Sequence, residues 1–442
     1  MQNQPEVFDN ILSALKIKQL NEMQLAAINA TEKHNDVILL SATGSGKTLA
    51  FLLPVLQKLS PENKETQALI IVPTRELALQ IEKVFKQMQT GFKITCCYGG
   101  HLRETEENNL VQPPALIVGT AGRLADHIRR KNFTVNTIET LVLDEFDKSL
   151  ELGFQEELAF IISSLPNLKK RMLTSATEAK EIPKFIGLKK PFKLDFLTPG
   201  ETSGRLEIKS IYASEKDKTD TLFRLICFLG TRSTIVFCTQ RETVEQTCDF
   251  LIKKGIAAGF YHGAMEQKQR DIALCKYRNG STNVLVTTDL ASRGLDIPNI
   301  RYIIHYDLAP TEDIFTHRNG RTARMEASGT AILILAPNEY VPKFIAPEEI
   351  EKIKIPENVS AQEKPKWTTL FIGAGKKDKV NKIDVVGFLS AKGQLKKEDI
   401  GLVEVKDFSA YVAVRKTKVG QTLELIKNEK LKNKKIKIEV AK

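Results

Sequence analysis

No apolar run in this sequence approaches the ~20 residues that a membrane-spanning helix needs, which argues against a membrane protein. Cysteine is scarce, with six residues at positions 96, 97, 227, 238, 248 and 275 and no paired C-x-x-C spacing. That pattern excludes a disulfide scaffold, disfavours a zinc site and points to reduced thiols. The opening Met1-Gln2-Asn3-Gln4-Pro5 lacks the basic-then-apolar order of a signal peptide, so the expected location is the cytoplasm. Acidic residues fall short of basic ones, 54 against 65, and the shortfall is local. The last 82 residues hold 20 basic and 10 acidic side chains, net +10 of the whole chain's +11. A basic terminal module on a nearly neutral body suggests a polyanionic partner. A length of 442 residues requires two or three domains.

What is present begins with Ser41–Thr48, S-A-T-G-S-G-K-T. Asp36–Leu40 reads as a buried strand leading into it, and Leu49–Leu53 as the apolar start of a helix leading out. A strand, a glycine turn and a helix start are the context of a phosphate-binding loop. Backbone N–H groups of Gly44, Ser45, Gly46, Lys47 and Thr48 converge on phosphate oxygens in such a loop. Lys47 then reaches the β- and γ-phosphates, and the Thr48 hydroxyl holds Mg²⁺.

Strand-like runs recur at Val37–Leu40, Ala68–Val72, Ile94–Tyr98, Ala115–Val118, Thr140–Leu143 and Arg171–Thr174, with helical stretches between them. Such alternation predicts a parallel sheet with helices on both faces and ligands at the carboxyl ends of the strands. Leu141-Val142-Leu143 runs into Asp144-Glu145-Phe146-Asp147. Asp144 is placed to hold Mg²⁺, partly through water, and Glu145 to orient or deprotonate an attacking water. Residues 190–204 read as a linker, after which the alternation restarts without a second G-K-T. His317–Arg324 places three arginines in eight residues, and Arg321 and Arg324 share a helix face from which they can meet a triphosphate.

In order and spacing the motifs resemble the DEAD-box RNA helicases over roughly 8–342. The resemblance rests on Ala42–Thr48, Pro73-Thr74-Arg75-Glu76-Leu77-Ala78, Gly99-Gly100, Asp144–Asp147 and Ser175-Ala176-Thr177. In the second half it rests on Ile235-Val236-Phe237, Thr287–Asp296 and His317–Arg324. It implies an RNA-dependent ATPase with two tandem RecA-like parallel-sheet domains, the first over 1–200 and the second over 201–345. It places ATP against Phe8, Gln24, Thr43 to Thr48, Asp144, Glu145, Asp296, Arg321 and Arg324. RNA is expected on Pro73, Thr74, Arg75, Gly100, Thr120 and Arg123 of the first domain, and on Gln269, Arg270 and Thr287 of the second. Such contacts grip phosphates and 2′-hydroxyls, with little reading of bases. The sequence departs from the family pattern at Leu20-Asn21, Ala121, Phe146, Asn319 and Ala323. None of these removes a charged group that the chemistry needs.

After a Lys-, Glu- and Pro-rich stretch read as a linker over 346–366, the order β-α-β-β-α-β predicts a small α+β RRM-like domain over 367–442. Gly373–Val380 resembles the C-terminal RNA-binding domain of DbpA-type helicases, a domain that binds a hairpin of large-subunit ribosomal RNA. Tyr411 is expected to point into the domain core, and Trp367 to seal its edge. Recognition is therefore expected through Lys376, Lys377, Arg415 and Lys416 in basic loops, more than through base stacking on the sheet. The combined expectation is a monomeric cytoplasmic RNA helicase using ATP and Mg²⁺ on structured ribosomal RNA. Its rivals are an ATP-gated RNA clamp or annealing chaperone, and a DNA helicase.

Overall fold

The computed structural model describes residues 4–42, 44–100, 102–177, 182–197, 206–289, 297, 300–320, 329–356 and 358–441. The chain separates into two units that divide near residue 203. Each contains a seven-stranded sheet.

The first sheet comprises β1 (Asp36–Ser41), β2 (Ala68–Val72), β3 (Ile94–Cys97), β4 (Leu116–Thr120), β5 (Thr140–Leu143), β6 (Lys170–Ser175) and β7 (Phe192–Phe196). All pair in parallel, in the order β3-β4-β2-β5-β6-β1-β7. Strands covered on both faces read as unbroken apolar runs, because neither set of alternate side chains meets water. In β1, Val37 and Leu39 enter one core with Phe51, while Ile38 and Leu40 enter the other with Leu158. The helices are α1 (Gln4–Leu15), α2 (Glu22–Lys33), α3 (Lys47–Lys58), α4 (Arg75–Gln87), α5 (Arg103–Leu110), α6 (Ala121–Arg129), α7 (Phe146–Glu151) and α8 (Gln155–Ser163). Part of the expected linker is instead β7, paired with β1, with Leu194 and Phe196 packed on the core. Its Lys193 and Asp195 give it the polar alternation of an edge strand, which read as linker in the sequence.

The strand order sorts the motifs. Neighbours β3, β4 and β2 end in Gly99-Gly100, Thr120–Arg123 and Pro73-Thr74-Arg75, respectively. Neighbours β5, β6 and β1 end in Asp144, Ser175 and the glycine loop. Parallel strands put all these ends on one edge of the sheet.

The second sheet comprises β8 (Leu206–Tyr212), β9 (Thr234–Phe237), β10 (Ala258–Tyr261), β11 (Val284–Thr287), β12 (Tyr302–His305), β13 (Gly329–Leu335) and β14 (Ile350–Lys352). Its order is β10-β11-β9-β12-β13-β8-β14, with helices α9 (Thr219–Leu229), α10 (Arg241–Lys253), α11 (Gln267–Arg278) and α12 (Glu312–Asn319). The stretch expected as a second linker is tied down. β14 pairs with β8, Ile353 and Ile355 pack on the core, and Gln362 donates to the Gly230 carbonyl at 2.6 Å.

The small domain has β15 (Trp367–Ile372), α13 (Lys382–Ala391), β16 (Ile400–Val405), β17 (Ala410–Arg415), α14 (Val419–Ile426) and β18 (Ile438–Val440). Its antiparallel sheet runs β16-β17-β15-β18, the expected β-α-β-β-α-β order. Leu370, Ile372, Val412 and Val414 pack inward with Val385 and Leu389 of α13. The opposite face lies against α11 and the turn after it. Asn279 Nδ2 donates to Thr369 Oγ1 at 2.8 Å, Thr369 to Ser281 Oγ at 2.9 Å and Arg278 to Glu404 at 3.3 Å. Tyr411 therefore does not point into the domain core. It is 2 % exposed on this docked face, beside Phe371 with ring centroids 5.7 Å apart. Alternation fixes its face: Val412 points inward, so Tyr411 points outward.

Candidate active site and nucleic-acid interface

The loop between β1 and α3 turns on two left-handed glycines, Gly44 (φ 86°) and Gly46 (φ 94°). Glycine takes this conformation without the steric cost of a Cβ. A Cβ on Gly46 would also lie 2.6 Å from Gln24 Nε2. That glutamine donates to the Gly46 carbonyl at 3.2 Å, and Asn21 Nδ2 donates to the Ser45 carbonyl at 3.0 Å. Asn21 and Gln24 form a reciprocal capping box at the start of α2, so the cap that starts the helix also props the loop. The departure at Asn21 thus keeps a capping residue, a role the sequence reading did not assign. Lys47 is buried and donates to the Ser41 carbonyl at 2.6 Å, while Thr48 is half-buried on the first turn of α3. Phe8 is partly buried against the core, and Thr43 lies outside the described residues.

Asp144 is 3 % exposed at the end of β5. Its Oδ1 accepts from the Thr174 hydroxyl and from the Glu145 backbone N–H at 3.1 Å. Burial, then the neighbouring Glu145 charge, push its carboxyl up to about 6, while Thr174 and Lys47 act in the opposite direction. A hard cation relieves such a destabilised carboxylate, and a carboxylate with a nearby hydroxyl is a suitable donor set for Mg²⁺. Glu145 is a non-glycine residue at φ 48° in the position just before α7, an unusual backbone conformation of the kind found at functional sites. The Thr177 hydroxyl donates to Asp147 Oδ2 at 3.0 Å, linking the two motifs. Phe146 is 1 % exposed and packs within the core. Thr174, one residue before the recognised motif, escaped the sequence reading because a threonine inside a strand gives no polar signal.

On the neighbouring strand ends, Thr74 caps α4 by accepting from Leu77 N at 3.3 Å, and Thr120 occupies the cap position of α6. Arg75 Nη1 lies 2.4 Å from where a Cβ on Gly100 (φ 99°) would stand, so that glycine makes room for the arginine. Arg123 pairs with Glu106 at 3.1 Å, and Pro73 is buried. The first unit therefore brings the phosphate loop, the acidic motif and one flank of nucleic-acid candidates to a single sheet edge.

In the second unit the residues expected at the RNA also make bonds within the fold. Arg270 is 7 % exposed and donates Nε and Nη2 to the Tyr261 hydroxyl at 3.0 and 2.8 Å. Gln269 serves in the capping box of α11, and Thr287 is fully buried with its hydroxyl on the Tyr261 carbonyl at 2.7 Å. These side chains are occupied in structural roles that their spacing alone did not reveal. Arg318 is a buried clamp, giving Asp289 two bonds at 2.5 and 2.9 Å and one to the Asp307 carbonyl at 2.6 Å. Beside it, burial and the Arg318 charge depress His305 to about 3. Asp296, Arg321 and Arg324 lie outside the described residues.

In the small domain Lys376 and Lys377 are exposed on a turn whose backbone N–H groups bond to the Lys406 and Asp407 carbonyls, both at 2.9 Å. A Cβ on Gly375 would come within 2.6 Å of three backbone atoms of that neighbouring loop, so glycine permits the two loops to join. Lys416 is exposed, whereas Arg415 is tied to Asp399 at 2.7 Å. All six cysteines are buried free thiols, and no described helix is long and apolar enough to cross a membrane.

Three family models match the chain in succession. They are the DEAD/DEAH box helicase over residues 21–185, the helicase conserved C-terminal domain over 217–326 and the DbpA RNA binding domain over 369–440. The ATP-dependent RNA helicase DbpA of Escherichia coli is 33% identical across 98% of both chains. The DbpA of Bacillus subtilis is 30% identical over 97% of this chain and 96% of its own. Among solved structures, S. cerevisiae Dbp5 bound to RNA and ADP BeF3 superposes with a TM-score of 0.67. It is 27% identical and covers 76% of this chain and 88% of its own. Two RecA-like domains, a phosphate loop joined to an acidic strand end, and a basic RRM-like module meet in one architecture. The chain belongs to the DEAD-box ATP-dependent RNA helicases of the DbpA type.

Proposed function

We propose that this helicase remodels structured ribosomal RNA during large-subunit assembly, separating short duplexes beside a hairpin held by its C-terminal domain. The observation that carries the reading is the small domain itself, which matches the DbpA RNA binding domain and presents Lys376 and Lys377 on a braced turn. Its docked sheet face leaves basic loops rather than aromatic stacking to meet the RNA.

At the catalytic edge, the N–H groups of Gly44–Thr48 and the Lys47 ammonium receive the ATP phosphates. Thr48 and Asp144 would hold Mg²⁺, which when bound offsets charge on the phosphates. Glu145 orients the attacking water and takes its proton. Thr174 holds Asp144 ionised and fixed, and Arg321 and Arg324 stabilise charge on the transferring γ-phosphoryl group. Arg75 and Arg123 grip the RNA backbone, with Gly100 admitting Arg75. A cytoplasmic monomer completes the proposal.

The test is hairpin affinity and strand displacement in Lys376→Glu/Lys377→Glu, a surface change that spares the joint with α11. Hairpin binding should weaken by at least tenfold, since each exposed charge reversed removes and opposes a phosphate contact. Basal ATP turnover should persist. Unchanged affinity would remove the C-terminal turn from the RNA site. Normal RNA-stimulated ATPase without strand displacement in the intact protein would favour the clamp.

A further inference from the structure

Glu106, on α5, is 1 % exposed and belongs to no motif recognised in the sequence. Its Oε1 accepts from the Tyr98 backbone N–H at 2.7 Å, immediately before Gly99-Gly100. Its Oε2 accepts from Arg123 Nη1 at 3.1 Å and meets His127 Nε2 at 2.6 Å. The direction of the histidine bond follows from its other side. Asn132 Nδ2 lies 3.3 Å from Glu107 Oε1, which only accepts, and 2.8 Å from His127 Nδ1. The amide nitrogen is therefore the donor, Nδ1 accepts and the ring proton sits on Nε2, donated to Glu106. Cys97, Glu106 and His127 also present ligand atoms within 4.8 Å of one another. Both ring nitrogens and both carboxylate oxygens are already engaged by hydrogen bonds, so this is a hydrogen-bond hub in preference to a metal centre.

We propose that Glu106 is a positioning residue for RNA: one buried, acceptor-only carboxylate ties the end of β3 to the first turn of α6 and holds the Arg123 guanidinium ready for a phosphate. The proposal rests on the reading of Arg123 as an RNA contact. Among the described residues, three N–H donors converge on two oxygens, and a carboxylate satisfies all of them while offering no competing donor. Arginine otherwise loses considerable rotamer freedom when it is fixed by a ligand, and a prearranged side chain avoids that loss. The Glu106 charge also keeps Arg123 paired until RNA arrives.

The test is a double-mutant cycle read by the affinity of a labelled single-stranded RNA in the presence of a non-hydrolysable ATP analogue. Glu106→Ala should weaken RNA binding about tenfold, the scale of one freed long side chain and a lost charged hydrogen bond. In an Arg123→Ala background the same change should add less than twofold. Glu106→Gln keeps the shape but sets an NH2 donor against one of the converging N–H groups and removes the charge, so it should lose nearly as much affinity as the alanine variant, and it carries the cycle if that variant fails to fold. The KM for ATP without RNA should stay within twofold in the Glu106 variants. Additive losses, or an RNA defect that merely follows a lowered Tm, would overturn the positioning role. An Arg123→Ala protein with normal RNA affinity would instead refute the Arg123 assignment on which the proposal rests.

Discussion

Replacing Asp144 with asparagine should abolish ATP turnover yet stabilise the nucleotide-free protein. The Asp144 carboxyl titrates near 6 in the fold against 3.8 for an ordinary aspartate. Below about pH 3.8 both folded and unfolded states are protonated, so the group is neutral to stability. As pH rises, the unfolded chain ionises first and the folded state falls behind, until the loss levels off above about 6. At neutral pH the burden is about 3 kcal/mol, at 1.36 kcal/mol per pKa unit. Asparagine can retain the Thr174 and Glu145 N–H bonds at Oδ1, although its amide nitrogen then needs a partner of its own. Allowing about half the burden for that partner and for relaxation leaves a gain of about 1–2 kcal/mol, or roughly 3–6 °C in the first unit's transition. The assay is thermal unfolding of wild type and Asp144→Asn at pH 7.5 and pH 5 without nucleotide. The gain should be largest at pH 7.5 and fall to near zero at pH 5, where the burden has halved while the cost of the asparagine amide is unchanged. A variant less stable at pH 7.5, or a gain that does not shrink on acidification, would show that the buried Asp144 charge is no burden on the fold.

Gly46→Ala places a Cβ at φ 94° and 2.6 Å from Gln24 Nε2, so ATP KM should rise by at least about tenfold with little loss of secondary structure; steady-state kinetics and circular dichroism check both parts. Thr369→Val removes the hydroxyl between Asn279 and Ser281, leaving buried polar groups unpaired at about 1–3 kcal/mol. Hydrogen exchange should then accelerate in α11 and β15 and stay unchanged in the first unit, whereas unchanged exchange in α11 and β15 would mean that these bonds do not hold the joint.

Much of the fold was legible because both sheets announce themselves as apolar runs between helices, and because strand ends carry the motifs. The phosphate loop, Asp144 and Glu145 followed from residues that have few other reasons to be adjacent. Other features are set by tertiary partners. Edge strands β7 and β14 are short and polar enough to look like linkers. Arg270 and Thr287 look available in sequence but are turned inward by Tyr261. Tyr411 reads as a core aromatic until alternation along β17 and the proximity of α11 decide its face. Glu106, Asn132 and His127 are scattered across two helices and a turn, and only folding assembles them.

In the proposed function RNA controls an ATPase that depends on Lys47, Glu145 and Arg321. Its most direct test is RNA-stimulated ATP turnover of Lys47→Ala, Glu145→Gln and Arg321→Ala beside the wild type. Wild-type turnover should rise severalfold with RNA, and each variant should lose at least about a hundredfold of the stimulated rate, the scale of removing one preorganised catalytic group. Near-normal stimulated rates in all three variants would contradict it.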